Sequence, residues 1–201
     1  MTDTNITICN GALARLGVSS ISDFTSNDKA KICGAIYPKF SNTLLAMHVW
    51  RFARKKSASL TSSTAPTYGR TYAFALPSDY LTMVNVYNSA TTNPLAKVEY
   101  EIFGAKLHTD FDTAYIDYIY TVDEDHWPDW YQDFVSTALA SVLAFPITED
   151  QQKEVFYRQI AFGTPQENGE GGLYKRCKGI DARQQPIKPF NGQSLVAARF
   201  S

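Results

Sequence analysis

Four consecutive residues, Asp123, Glu124, Asp125 and His126, carry the densest chemistry in the chain. Three carboxylates and an imidazole could supply acid–base groups or ligands for a metal ion. Neighbouring side chains nevertheless point in different directions. A calcium loop would need an oxygen ligand and then a glycine where Trp127 and Pro128 stand, so that motif fails. The run therefore reads as a solvated acidic turn, suited to the positive N-terminal end of a following helix. Asp110-Phe111-Asp112 reads as a loop tip on the same grounds. A glycosidase needs two carboxyls held across a groove, one with a raised pKa, and no spacing in this sequence specifies such a pair.

Nucleophile machinery has no recognisable form here. The chain contains no G-x-S-x-G, no phosphate loop ending in G-K-[ST], no H-E-x-x-H, and no protease-like context around a cysteine. Gly169-Glu170-Gly171-Gly172 lacks a preceding strand and reads as an ordinary loop rather than a phosphate cradle. Cys9, Cys33 and Cys177 are odd in number and widely spaced, the pattern of buried reduced thiols rather than of a disulfide framework or zinc knuckle. His48, beside Trp50, reads as a core or interface histidine, while His108 and His126 have no helix-spaced partner. The expectation is no catalytic residue, no metal site and no cofactor. Arg54, Lys55 and Lys56 open a strand, where they read as a basic edge guarding against pairing, with contact to DNA as the alternative.

The elements that position these residues follow from hydrophobic period. Ile6, Cys9, Leu13 and Leu16 recur at helical steps, with Asp3 and Thr4 before them as caps and Gly17 after. Cys33, Ile36, Tyr37, Phe40, Leu44 and Met47 mark a second helix, expected to kink or break locally at Pro38 and to end near Trp50. The period then changes to two. Tyr72, Phe74 and Leu76, then Val98, Tyr100 and Ile102, then Ile116, Tyr118 and Tyr120 predict half-buried antiparallel strands, with a hairpin turn at Phe103-Gly104-Ala105. Helices resume at Pro128, with Tyr131, Phe134, Val135, Ala138, Leu139 and Val142 on an apolar stripe that Pro146 is expected to stop. Thr148-Glu149-Asp150-Gln151 has the form of a capping box for a further helix carrying Val155, Phe156 and Ile160. Glycines and Pro165 between 163 and 172 then break the helical pattern.

The predicted fold is α+β. A discontinuous helical bundle, residues 1–53 and 128–182, carries an inserted small antiparallel β domain over 54–127, and an extended C-terminal arm covers 183–201. Charge follows a related division. Residues 1–96 hold nine basic and four acidic side chains, residues 97–174 four and fifteen, and residues 175–201 six and one, within a net charge of −1. So strong an acidic middle disfavours general DNA binding and suits self-association or docking. The 44% hydrophobic content predicts a packed core, and the longest apolar stretch, 138–147, is half of a membrane span. A soluble chain without a signal peptide is expected.

The order of motifs resembles a known family. Ala12-Leu13-Ala14-Arg15-Leu16-Gly17, Ile21-Ser22-Asp23-Phe24, Cys33 to Tyr37-Pro38, Leu44-Leu45 and Trp50-Arg51-Phe52-Ala53-Arg54 look like the N-terminal pattern of bacteriophage head-to-tail adaptor proteins of the tail tubular protein A type. Tyr72 to Leu81, Tyr100 to Gly104, Ile116 to Tyr120 and the helical hairpin from Trp130 continue it, so the resemblance spans most of residues 5–160. It implies a structural virion protein of the tail or neck, folded in the host cytoplasm. Its partners would be further copies of itself in a ring, usually a dodecamer, the portal protein above, and the next tail component, a nozzle or tail tube protein, below. The ring would line a channel for DNA and touch the genome transiently and without specificity, with no membrane contact. Some relatives are proposed to degrade glycans, so a tail-associated glycan or peptidoglycan hydrolase is the alternative, although no matching carboxylate pair carries over. This chain departs from the family at 163–172, where a longer charged helix would be expected.

The C-terminal arm is expected to dock on the portal or a neighbour. Arg183, Lys188 and Arg199 interleave with Phe190, Leu195 and Phe200, together with Ile187 and Val196, giving charged steering and apolar anchors, while Pro186, Pro189 and Gly192 oppose helix.

Overall fold

The structure is a computed structural model that describes residues 4–63, 66, 69–91 and 97–184. In chain order the elements are α1 (Thr4–Leu16), α2 (Asp28–Ala46), β1 (Arg54–Lys56), β2 (Tyr72–Ala75), β3 (Tyr80–Tyr87), β4 (Glu101–Phe103), β5 (Lys106–Thr109), β6 (Tyr115–Tyr120), α3 (Asp129–Thr148), α4 (Gln151–Phe162) and α5 (Gly172–Arg183). Single 3₁₀ turns occupy Glu124–His126 and Pro165–Glu167. The fold is α+β, with helices at both ends of the described chain and two small antiparallel sheets between them.

Helix α3 is the centre. From Phe134 to Ser141 every one of its residues is buried, because α1, α2, α4 and α5 all pack around it. That environment explains a sequence apolar on nearly all sides, with small Ala138, Ala140 and Ala144 letting neighbouring helices approach. Ser136, Thr137 and Ser141 lie buried there too and return their hydroxyl protons to backbone carbonyls of Asp133 and Ala138 within the helix.

The sheets are ordered β1-β6-β3 and β2-β5-β4. In the first, Arg54 faces Ile119 and Lys56 faces Asp117 across β1 and β6, and Tyr87 faces Tyr115 across β3 and β6. Ile119 belongs to the helical core, whereas Ile116 and Tyr118 pack with Phe74, Val86 and Leu107 in a second core. This central strand therefore joins the two modules. Gly104 and Ala105 both have φ of 57°, the conformation of a two-residue turn that matches strand twist, and they close the β4–β5 hairpin.

The segment between α2 and β1 is fixed by Trp50. Its indole is fully buried, donates from Nε1 to the Leu44 carbonyl at 3.1 Å, and meets the rings of Tyr131 at 5.0 Å and Tyr174 at 6.0 Å. Tyr174 in turn donates its hydroxyl to the Met47 carbonyl at 3.0 Å.

Several expectations need correction. Helix α2 continues through Pro38 without a break and ends at Ala46, before Trp50. The proline costs one backbone bond, but Cys33, Tyr37, Ser41, Leu44 and Leu45 are buried on both sides of it and hold the helix in register. Pro146 does not stop α3 either. The helix continues to Thr148 and ends where Glu149 turns left-handed at φ 54°. The cap of α4 is Asp150, which accepts from the backbone N–H of Gln152 and Lys153, rather than Thr148. The longest strand, β3, and helix α5 were not anticipated, and Arg183 belongs to the last turn of α5 rather than to an extended arm. Asp3 as a cap and the arm from Pro186 onward lie outside the described residues.

Burying an indole of this size contributes on the order of 4 kcal/mol from apolar area. Trp50→Ala is expected to cost about 3–5 kcal/mol. Because the ring seats both α5 and the entrance to β1, helical circular dichroism and tyrosine fluorescence should lose their urea midpoints together; a shift in only one signal would contradict the junction role.

Candidate functional site

The basic run at the start of the β module is an edge strand exposed along its length, as the sequence suggests, but two of its charges are engaged. Arg54 forms an ion pair with Asp117 on the adjacent β6, a carboxylate whose side chain is only 5% exposed. Tyr87 donates its hydroxyl to the same carboxylate at 3.4 Å. Lys55 bonds Asp79 at 2.7 Å and lies 5.0 Å from the centre of the Tyr120 ring. Burial pushes the Asp79 carboxyl up, yet the Lys55 ammonium and the Tyr118 hydroxyl together hold it below its usual range. The hydrogen bond to Asp79 raises Lys55 correspondingly. Lys56 alone of the three has no ion pair among the described residues. The strand thus offers an approaching phosphate little uncommitted charge.

The acidic turn is also occupied by structure. Glu124 accepts from the Tyr37 hydroxyl at 3.1 Å, and Asp125 accepts from the Thr4 hydroxyl, so the turn pins α1 and α2 to the start of α3. Burial and the neighbouring Glu124 push the Tyr37 phenol above its usual pKa. Among the described residues no group of three or more His, Cys, Asp or Glu side chains is placed to hold a metal ion. The thiols Cys9, Cys33 and Cys177 are buried and unpaired as disulfides. Burial pushes Cys177 up to about 12, and its sulfur donates to the Trp130 carbonyl at 3.4 Å. The Cys9 thiol is raised by its hydrogen bond with Cys33 and by burial. The same hydrogen bond from Cys9 lowers the Cys33 thiol, while Cys9 and Cys177, held as neutral thiols, are poor nucleophiles.

The buried polar centre that the sequence did not reveal is Asp181. Its carboxylate accepts from the Arg51 backbone N–H at 3.0 Å, sits 3.7 Å from the Arg51 guanidinium and 4.0 Å from His48 Nε2, and is 3% exposed. Arg51 also donates from Nε to the Asp181 carbonyl at 3.1 Å. Burial lowers the His48 pKa, and Asp181 opposes that effect. The cluster fastens α5 to the Trp50 segment. Arg70 likewise gathers Asp110 at 2.6 Å and Glu99 at 3.3 Å, so the Asp110 loop tip is anchored. The Arg70 guanidinium holds the Asp110 carboxyl below its ordinary value. None of these partners lies near the other in sequence, which is why spacing rules do not reveal them.

What remains uncommitted is surface. The β4 hairpin exposes Ile102 and Phe103, the latter 56% exposed, with Phe111 nearby in sequence, and Arg70 engages Glu99, Glu101 and Asp110. On another part of the molecule Met47 and Val49 are exposed just ahead of the basic strand β1. A third apolar face lies on α4, with Val155, Phe156 and Ile160 exposed. Of the residues expected to dock, Arg183 is exposed at the end of α5, while Lys188, Phe190, Leu195, Arg199 and Phe200 lie outside the described residues. No protein-family model and no curated protein matches the chain.

Removing the guanidinium of Arg54 leaves Asp117 nearly buried without its counter-charge. Arg54→Ala should destabilise the fold by about 1–3 kcal/mol in urea denaturation, whereas Lys56→Ala should stay within about 0.5 kcal/mol. Equal effects would refute the distinction. The lowered pKa of Asp110 means that its pairing favours the fold above the unfolded carboxyl pKa and is lost as pH falls through the folded value. In Arg70→Ala, carboxyl NMR should show Asp110 titrating at higher pH than in the parent chain; an unchanged midpoint would contradict the pairing.

Proposed function

We propose that this chain is a structural subunit of a phage neck, assembling head to tail into a ring that joins the portal to the next tail component. One observation supports the reading: two different surfaces, the β4 hairpin and the segment between α2 and β1, each expose large apolar side chains. The β4 hairpin exposes Ile102 on one face and Phe103 on the other, and the segment between α2 and β1 exposes Met47 and Val49 a few residues ahead of the edge strand, where Lys56 has no ion pair among the described residues. A contact between unlike surfaces repeats around a circle when its rotation closes, whereas a like-with-like contact stops at two copies. Apolar atoms would supply the affinity, while the charges near both surfaces are largely engaged within the subunit. Both β1 and β4 are sheet edges with unpaired backbone groups, which neighbouring copies would cover.

The motif order described above agrees with this reading, and the engagement of Asp125, Glu124, Arg54 and Lys55 within the fold leaves them free for neither hydrolysis nor tight DNA binding. Contact with the genome would then be transient and weakly salt-dependent, coming from Lys56 more than from its neighbours.

Negative-stain electron microscopy of the purified protein, alone and with its portal, is expected to show closed rings. Phe103→Asp should abolish them while circular dichroism of the subunit stays unchanged. A chain that remains monomeric in both conditions at high concentration, or rings that persist in Phe103→Asp, would refute the proposal.

A further inference from the structure

Helix α4 is tied to the rest of the subunit on every side but one. Ala161 is buried on its inner side, Lys153 donates from Nζ to the Leu16 carbonyl at 3.2 Å on the side of α1, and the Gly171 N–H donates to the Phe162 carbonyl at 2.9 Å at its C-terminal end. The outer side that remains is apolar at its centre. Phe156 is 57%, Val155 49% and Ile160 38% exposed. A hollow of about 460 Å³ lies over this side, lined by Gln151, Gln152, Val155, Phe156 and Gln159. An isolated exposed valine needs no explanation, but an aromatic ring and two branched side chains on successive turns of one helix do.

The residues of this face are arranged symmetrically along it. Gln152, Val155, Phe156 and Gln159 share one side of the helix and read the same from either end, amide, apolar, apolar, amide. When such a helix lies antiparallel against a copy of itself, with the two-fold axis midway between Val155 and Phe156, Val155 meets the partner's Phe156 and Gln152 meets the partner's Gln159. The two amides are matched, since each offers donors and an acceptor. Charge matches as well. None of the residues lining the hollow is charged, Lys153 is turned to α1, and Arg158 borders a second hollow with Phe162 and Pro165 on the other flank. Glu154 stands two residues before Phe156, on the far side of the helix. A strongly charged partner would find no counter-charge in the hollow, whereas a neutral, amide-edged copy of the same face meets no repulsion there.

We propose that the outer face of α4 is a two-fold contact between two copies of this chain, with the α4 helices antiparallel and Val155 and Phe156 of both copies packed at the centre. One helix pair buries less than the about 1,200–2,000 Å² of a standard interface, so the dimer is weak, with a dissociation constant on the order of 10–100 μM. The contact joins like surfaces and stops at two copies. It does not rest on the ring, whose contacts join unlike surfaces.

The test mixes full-length Gln152→Cys with full-length Gln159→Cys, one of them isotope-labelled, with glutathione disulfide as oxidant. In the antiparallel pair, positions 152 and 159 of different copies stand opposite each other, whereas two copies of position 152 lie roughly 10 Å apart along the helix. The mixed disulfide is therefore expected to form roughly tenfold faster than a disulfide between identical chains. Comparable rates would place another arrangement, or another occupant, on this face and overturn the proposal, as would the lack of any disulfide at these positions. Adding Phe156→Glu to both chains should slow the mixed disulfide roughly tenfold with circular dichroism unchanged, while Glu154→Gln, on the far side of the helix, leaves its rate unchanged. A rate indifferent to Phe156→Glu would equally overturn it. Head-to-tail rings bring α4 against an unlike surface, so they neither produce nor mask this cross-link.

Discussion

The fold depends on one buried indole placed where the chain passes from helix to strand. Trp50 has no solvent exposure and touches the rings of His48, Phe52, Trp130, Tyr131 and Tyr174. These come from the junction itself, from the start of α3 and from α5, so the ring defines how three remote segments meet. Area alone would not specify its orientation. The Nε1 bond to Leu44 does, since a buried indole N–H without a partner would cost more than the bond contributes when made. Asp181 then adds a polar lock on the same segment, and its carboxylate can be buried because the Arg51 amide and guanidinium both face it. Once that junction is set, β6 lies between the two cores and the β module cannot swing away without exposing Ile119 on one side or Ile116 on the other.

How much of this could be read from sequence follows from the range of the forces involved. The β4–β5 turn is legible because two positive-φ residues are a local property, whereas β6 is buried at four successive positions and β4 starts only at Glu101, so alternation there marks strand but not which faces are buried. Helix α3 was legible through its apolar stripe, although its burial on nearly every side blurs the period. Proline misled in both helices where it was treated as a breaker. Tertiary packing around Cys33 and Leu44, and an exposed final turn after Pro146, outweighed a single missing donor. Strand β3 escaped because its residues are mostly half-buried, so Tyr80 to Tyr87 shows no clean division between faces. Helix α5 escaped because Gly172 opens it and basic residues crowd its exposed side, leaving only Tyr174, Cys177 and Asp181 buried.

The candidate functional residues separated on a different principle. A sequence displays every charge equally, but in the fold most charges of interest neutralise one another across long separations. Arg54 meets Asp117, Lys55 meets Asp79, and Arg70 meets Glu99, Glu101 and Asp110. An ion pair with one nearly buried member is a structural commitment, since removing either partner strands the other in a poor dielectric. On the basic edge strand, the Arg54 pair ties β1 to β6 and the Lys55 pair ties it to the turn before β3.

Surface apolar groups have no such internal outlet. A carboxylate can be satisfied by a neighbouring lysine or by water, so its exposure says little about partners. The exposed faces of Phe103 and Phe156 gain nothing from water. Phe103 stacks at 3.8 Å on His108, a buried imidazole whose ring nitrogens have no hydrogen-bond partner among the described residues, so the hairpin covers a group that burial makes costly. Such placements are stable only while something covers them or while the cost is outweighed elsewhere. The Trp50 junction supplies that margin to the subunit, and contact with other surfaces is the remaining way to remove the exposed aromatic area from water.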